Sequence, residues 1–407
     1  MIESQDKMYA LLKELFVKSL KGFLKVSFSI CIFANLVSAL PLEDPNAYPK
    51  FSWDTVPLYA HIGKKLSFTD EEIEYLAKFP IITLEKRTGA LTYGSTEKGI
   101  PAEAKRIKKI NPDAKVLFYW NVFLDYELYE AQKMFEQHDE WALKKPDGNN
   151  LFVRQIVKTY DFRVPQMRDW WTNVCKNAVD TGVIDGIFID ANLKVYMYDN
   201  IRTILGDKAH DDLIAAYKRL LVETRCKIGP DKIMLANIIR AAFPDSGLSD
   251  LEYHSGSYIE GFARPWPPKS ISYEKYLEKG IAAVQSAARN GYIITMTLGP
   301  EVEYVNQDDI EFNKLSREKQ EEFLASRLEY ALATFLICAE KYSYFHYASG
   351  LRAEDAIWMN WYPEYDKPLG EPLGAAKKNG FVYTRKFKNA DVRLDIKNKK
   401  AKIKWRQ

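Results

Sequence analysis

From residue 53 onward, eight short β-branched or aromatic runs alternate with amphipathic helical patterns, and this alternation constrains the fold more than any other feature of the chain. The runs lie at 55–62, 81–85, 115–121, 186–190, 232–237, 257–262, 292–297 and 342–347. Helical patterns fall at 69–78, 101–110, 165–181, 210–228, 273–290 and 316–340, and Thr69 with Glu72 forms a capping box at the first. Strand, helix, strand is the order of parallel βα units. Eight such units predict an α/β fold closed as a (β/α)8 TIM barrel over residues 40–362. A doubly wound open sheet is the alternative, but no GxGxxG or P-loop glycine cluster follows the first strand, which weakens a nucleotide-binding version. Beyond it, three prolines and two glycines between Pro363 and Gly374 make a turn-rich passage. Residues 380–383 and 390–396 then alternate like strands, so 363–407 reads as a short C-terminal β appendage. A long insertion at 123–168 separates the third and fourth strands, placed to wall a cleft.

The amino terminus does not share this pattern. Five lysines between Lys7 and Lys25 precede the charge-free run 26–39, which ends in small residues at Val37 and Ala39. This is the pattern of a secretory signal peptide cleaved near Ala39, with an uncleaved N-terminal anchor as the alternative. The apolar run is short for the ~20 residues of a membrane span. The expected location is therefore secreted or cell-envelope, with no integral membrane domain beyond that possible anchor. Lys+Arg 58 against Asp+Glu 55 leaves a charge of +3, and losing the leader's five lysines and three acids takes it to +1. No Lys/Arg block is dense enough in sequence to track phosphates, which argues against nucleic acid as a partner. Cys175, Cys226 and Cys338 show no CxxC spacing, so zinc is unsupported, and neither a metal nor an organic cofactor is required. Trp 9, Tyr 25 and Phe 21 supply rings for a core and also flat platforms of the kind sugars stack on.

In a barrel of this kind the reactive groups come from the carboxyl ends of the strands, and those ends are polar here. They offer His61, Glu85 and Lys86, Tyr119, Trp120 and Asn121, Asp190 and Asn192, Asn237, Glu260 and Arg264, and His346 and Tyr347. The sharpest element is 185–190, where a β-rich run ends in an acid that projects into the barrel mouth. A carboxylate there can attack an anomeric carbon or stabilise an oxocarbenium-like state, whereas a plain capping Asp is the structural alternative. Asp185 begins the same run and points to the far end of the barrel, in a structural role. Glycoside hydrolysis needs a second carboxyl that holds its proton. Glu260 is the first choice, because an acid within an apolar, aromatic strand is costly without a function or a partner such as Arg264 or Lys86. Glu85, Glu301 and Glu303 remain alternatives. His61, Glu85, Lys86, Trp120, Asn121, Asn192, Asn237, Arg264 and Tyr347 form the expected substrate-binding set. Trp120, Trp266 and Tyr347 are the candidate stacking platforms within the rim.

Residues 53–57 (WDTVP), 110–121 (INPDAKVLFYWN), 160–163 (YDFR) with Trp170 and Trp171, 185–190 (DGIFID) and 368–374 (PLGEPLG) together resemble the hypothetical glycosyl hydrolase barrels related to the α-galactosidase and α-amylase-like superfamily. The resemblance implies a secreted carbohydrate-active barrel with the strand-four acid, Asp190, as nucleophile and a later-strand carboxyl as acid/base. The chain departs from the amylase-like pattern where strand five ends in Asn237 rather than Glu, which favours Glu260. The expected activity is hydrolysis of O-glycosidic bonds in a poly- or oligosaccharide, by a retaining mechanism. A non-catalytic glycan-binding barrel and a structural surface protein are the alternatives from other classes.

Overall fold

The computed structural model describes residues 42, 44–197, 200–243, 245–265, 271–300 and 312–406. Residues 1–39, expected to form a signal peptide, and Trp266, Glu301 and Glu303 lie outside the described residues.

All eight runs form strands, and each strand lies beside its sequence neighbour. They are β1 (Ala60–Ile62), β2 (Ile81–Leu84), β3 (Lys115–Asn121), β4 (Gly186–Asp190), β5 (Ile233–Asn237), β6 (Gly256–Glu260), β7 (Ile293–Leu298) and β8 (Ser343–Tyr347), parallel and in sequence order. The ring closes where Tyr59 N donates to Phe345 O and Phe345 N donates to Pro57 O, each at 2.8 Å. The expected TIM barrel is therefore the observed fold.

Among the described residues, six helices of seven residues or more cover the outside: α1 (Asp70–Leu76), α2 (Thr96–Ile110), α3 (Pro165–Asp180), α4 (Asp207–Ile228), α5 (Tyr273–Arg289) and α6 (Arg317–Cys338). The capping box at α1 is formed in both directions, Glu72 N to Thr69 Oγ1 at 3.2 Å and Thr69 N to the Glu72 carboxylate at 2.7 Å. Helix α2 starts before the expected residue 101, because Ser95 caps it and Pro101 is carried inside. A 3-10 helix at Leu248–Tyr253 takes the place of an α-helix between β5 and β6. No helix among the described residues is long and apolar enough to cross a membrane.

The core is in two parts. Inside the barrel pack Tyr59, Leu117, Tyr119, Phe188, Leu235, Tyr258 and Tyr344, and outside it the helices pack on the outward residues of the same strands. This division follows from the period of two along a strand. Gly186 sits where β4 and β5 approach closely, since a Cβ there would lie 2.1 Å from the Ile233 carbonyl oxygen. Asp185 is at the amino-terminal end of the barrel, accepting from Val116 N and paired with Lys108, both at 2.8 Å.

The C-terminal appendage is larger than the two strands expected. It is a four-stranded antiparallel sheet, β9 (Lys377–Asn379), β10 (Val382–Lys386), β11 (Ala390–Asp395) and β12 (Lys400–Trp405). Its inner face lies on α6. Arg385, 3% exposed, donates to the Leu336 carbonyl (3.1 Å) and the Ala339 carbonyl and pairs with Glu340 (2.9 Å), satisfying the carboxyl end of that helix.

Candidate active site

Parallel strands in register carry their last residues to one rim, and alternation selects which of those residues face inward. Asn121 and Asp190 are direct register partners on β3 and β4. Asp190 Oδ2 accepts from the Tyr119 hydroxyl at 2.6 Å and from Asn121 Nδ2 at 3.3 Å, and Oδ1 accepts from Asn237 Nδ2 at 3.1 Å. The same Asn237 nitrogen lies 3.1 Å from Glu260 Oε2. One amide therefore joins the two acids, whose nearest oxygens are at most twice that distance apart.

Charge around this pair is divided unevenly. Burial alone would push the Asp190 carboxyl up, but the charge of Lys86, the Tyr119 hydroxyl, the charge of Lys194 and the Ala191 amide outweigh it and hold the group below the usual aspartate range. The Lys86 ammonium pairs with Glu85 at 2.6 Å and lies 4.8 Å from the centre of the Tyr119 ring. Burial would lower its pKa, yet Glu85 and Asp190 raise it overall, so Lys86 stays charged. Glu85 is buried and its carboxyl is pushed up, by burial first and also by the charge of Asp190, against the opposing pull of Lys86. Glu260, by contrast, is 52% exposed and pairs with Arg240 at 3.2 Å. Being the last residue of its strand, it escapes the apolar enclosure expected from its neighbours, and its partner is neither Arg264 nor Lys86.

Several expected site residues lie elsewhere. Trp120 points outward, against Tyr129, Trp170 and Trp171, and the ring facing the site from β3 is Tyr119. Tyr347 also points outward and donates to Leu324 O at 2.8 Å. Neither ring can be a stacking platform, since each occupies the outward phase of its strand. Asn192 is fully buried, tied to Ile189 O and the Tyr217 hydroxyl at 2.7 Å each, and holds the loop after β4 rather than a ligand. His61 and His346 lie inside the barrel and are buried. The His61 ring is 4.7 Å from Phe188 and 4.8 Å from Tyr258, and neither of its nitrogens has a hydrogen-bond partner among the described residues. Burial lowers the pKa of both histidines, that of His346 to about 3, so both are neutral. Arg264 is half-buried on the turn after β6.

Two residues at the rim, Arg240 and Lys194, escaped the sequence reading, and a third, Tyr119, was read as a strand tip but given no part in the site. Tyr119 was discoverable, because it shares a strand phase with Asn121. Arg240 lies on the loop after β5 and Lys194 opens a short helix after β4, both beyond the strand tips where the strand period does not apply. Lys194 follows Ala191, whose φ of 67° turns the chain sharply after Asp190. Burial lowers its pKa, the charges of Asp190 and Glu260 partly restore it, and no ion pair with a described residue is formed.

The model of hypothetical glycosyl hydrolase family 15 matches residues 108–391. No curated protein sequence matches the chain. Among solved structures, the alpha-amylase of Geobacillus thermoleovorans is 12% identical, with 84% of this chain and 87% of that one covered and a TM-score of 0.48. The glycoside hydrolase domain of PelA from Pseudomonas aeruginosa is 12% identical, covering 66% and 89%, with a TM-score of 0.43. The GH36 alpha-galactosidase AgaA of Geobacillus stearothermophilus is 11% identical, covering 85% and 48%, with a TM-score of 0.42.

Proposed function

The chain belongs to hypothetical glycosyl hydrolase family 15, and we propose that it hydrolyses O-glycosidic bonds of a poly- or oligosaccharide with Asp190 as nucleophile and Glu260 as acid/base. The observation that carries this is the single Asn237 nitrogen placed 3.1 Å from both carboxylates. The spacing this permits suits a retaining site, where carboxyl groups stand ~5 to 5.5 Å apart, better than an inverting one at ~6.5 to 9.5 Å. Asp190 suits the nucleophile's role because its surroundings keep it ionised. Its oxygen attacks the anomeric carbon while Glu260 gives its proton to the leaving oxygen, forming a glycosyl ester. Glu260, now a carboxylate, takes a proton from water, and that water releases the sugar and restores Asp190. Glu85 is the competing acid, but it is 5% exposed and Lys86 Nζ contacts both of its oxygens, at 2.6 and 3.1 Å. Little of it is left for a glycosidic oxygen.

The test is release of reducing ends across a polysaccharide panel, with Asp190→Asn and Glu260→Gln measured beside the parent. Both substitutions should cost at least ~100-fold in rate while the proteins remain folded. Azide should rescue an Asp190→Gly protein through a glycosyl azide of inverted anomeric configuration, and Glu260→Gln should retain more activity on substrates with an activated leaving group. Turnover that survives both substitutions overturns the site. Glycan binding without turnover, unchanged in Asp190→Asn, moves the reading to a binding module. The basic and then apolar leader supports export, which sequencing the amino terminus of protein recovered from outside the cytoplasm tests.

A further inference from the structure

The C-terminal sheet gathers charge that the linear sequence disperses. From Lys377 to Arg406 there are twelve basic residues and two acids, Asp391 and Asp395, in a chain whose overall surplus is only +3. That span alone has a surplus of ten, so the remainder of the chain carries a deficit of seven. In sequence many of the lysines alternate with apolar residues, as at 400–405 (KAKIKW), and 397–406 holds six of the cations. Strand alternation then sorts them. Tyr383, Arg385, Val392, Leu394 and Ile403 are buried on the inner face against α6 and the core.

The outer face takes the opposite phase, and the register sets one pair of its cations side by side and others beside aspartates. Arg393 stands opposite both Thr384 and Lys402, Asp391 opposite both Lys386 and Lys404, and Asp395 opposite Lys400. Lys377 adds a further cation across from Thr384. Asp391 is engaged by Arg406 at 2.6 Å, and Lys402 reaches Glu329 at 3.3 Å while remaining 74% exposed. Lys377, Lys386, Arg393, Lys400 and Lys404 are exposed and make no ion pair with a described residue. Cations directly opposite one another, as Arg393 and Lys402 are, destabilise a sheet unless a counter-charge lies over them.

We propose that this face docks a polyanionic polysaccharide, a chain with a carboxylate on successive sugars, and holds the barrel on it. The substrate class rests on the reading of the barrel as carbohydrate-active. Along β12 the cations Lys400, Lys402 and Lys404 repeat about every 6.8 Å, and Arg393 stands about 4.8 Å across from Lys402. Such a lattice meets an extended row of anions, whereas a single small anion calls for a pocket. The remaining outer-face residues, Asn379, Val382 and Thr384, include no aromatic ring on which a base would stack and no bulky apolar wedge for a bilayer.

The experiment is affinity electrophoresis of the full chain carrying Asp190→Asn, through native gels containing polygalacturonate or, separately, neutral dextran. Retardation by polygalacturonate alone, abolished by about 0.5 M salt, is expected. Lys386→Thr, Arg393→Thr, Lys400→Thr and Lys404→Thr combined should weaken the binding at least about tenfold, and Thr favours strands, so the sheet is kept. Replacing Lys105, Lys109, Lys133 and Lys319 by Gln removes the same charge elsewhere and should change it less than twofold. Equal loss in both variants, or retardation by dextran, overturns the proposal, as does tighter binding to duplex DNA or to phosphatidylglycerol vesicles than to polygalacturonate. Binding without hydrolysis in the parent sinks the barrel's reading alone, and hydrolysis without binding sinks this one alone.

Discussion

Replacing Lys86 by Met tests the electrostatics of the site without emptying it. Met keeps the length of the side chain and its contact with the Tyr119 ring, while the charge that separates two carboxylates disappears. The Lys86–Glu85 pair is 2.6 Å long, with side chains 30% and 7% exposed, so little solvent is present to replace the lost partner. Breaking a pair this buried costs about 3 kcal/mol. Without this cation a Glu85 carboxyl already pushed up by burial is pushed up further. A carboxyl raised in the fold opposes folding once pH passes its unfolded value of about 4.3, and the full cost is reached above its folded pKa. The gap between parent and variant should therefore be small at pH 4 and widen through neutrality to about 4 °C in Tm. The acid limb of kcat/KM should also move to higher pH, because Asp190 loses the cation that most lowers its pKa. Thermal melts from pH 4 to 8, with Lys86→Arg as the charge-preserving control, read the first effect. A gap that is equal at pH 4.5 and pH 7.5 refutes the reasoning.

Three other outcomes follow from the same structure. In the parent, the acid limb of kcat/KM should lie below the ordinary aspartate value of about 3.9, since Asp190 is held ionised; a midpoint above 5 contradicts this. Arg385→Met should cost about 3 kcal/mol in urea unfolding by freeing Glu340 and the last carbonyls of α6, and Arg385→Lys should recover less than half, because an ammonium cannot fork between them. Gly186→Ala should cost at least about 3 kcal/mol or abolish soluble expression, because its Cβ meets the backbone of β5 at 2.1 Å, and a parent-like melting curve contradicts that.

The barrel was legible because strands buried on both faces read as continuous apolar runs, and all eight were found in order. Their tips were legible for the same reason: Asp190, Asn121 and Asn237 end their strands and meet. What the period of two leaves open is which phase faces inward when both phases are apolar. Trp120 and Tyr347 were placed at the rim on that account, yet both belong to the outer layer with the helices. Arg240 and Lys194 were hidden for another reason, since residues beyond the strand tips are positioned by turns such as that at Ala191. Strands β9 and β12 were concealed by their lysines, although alternation with Ala401, Ile403 and Trp405 was present.

The sequence also drew a boundary at residue 363, and helix α6 shows that the polypeptide does not respect it. All eight residues from Ala331 to Cys338 are buried, on every side of the helix, because the barrel covers one flank and the sheet another. A barrel ending with β8 would present that greasy cylinder to water. The last forty residues thus act as the missing eighth wall, and a shortened gene stopping before them should yield aggregate rather than a smaller enzyme.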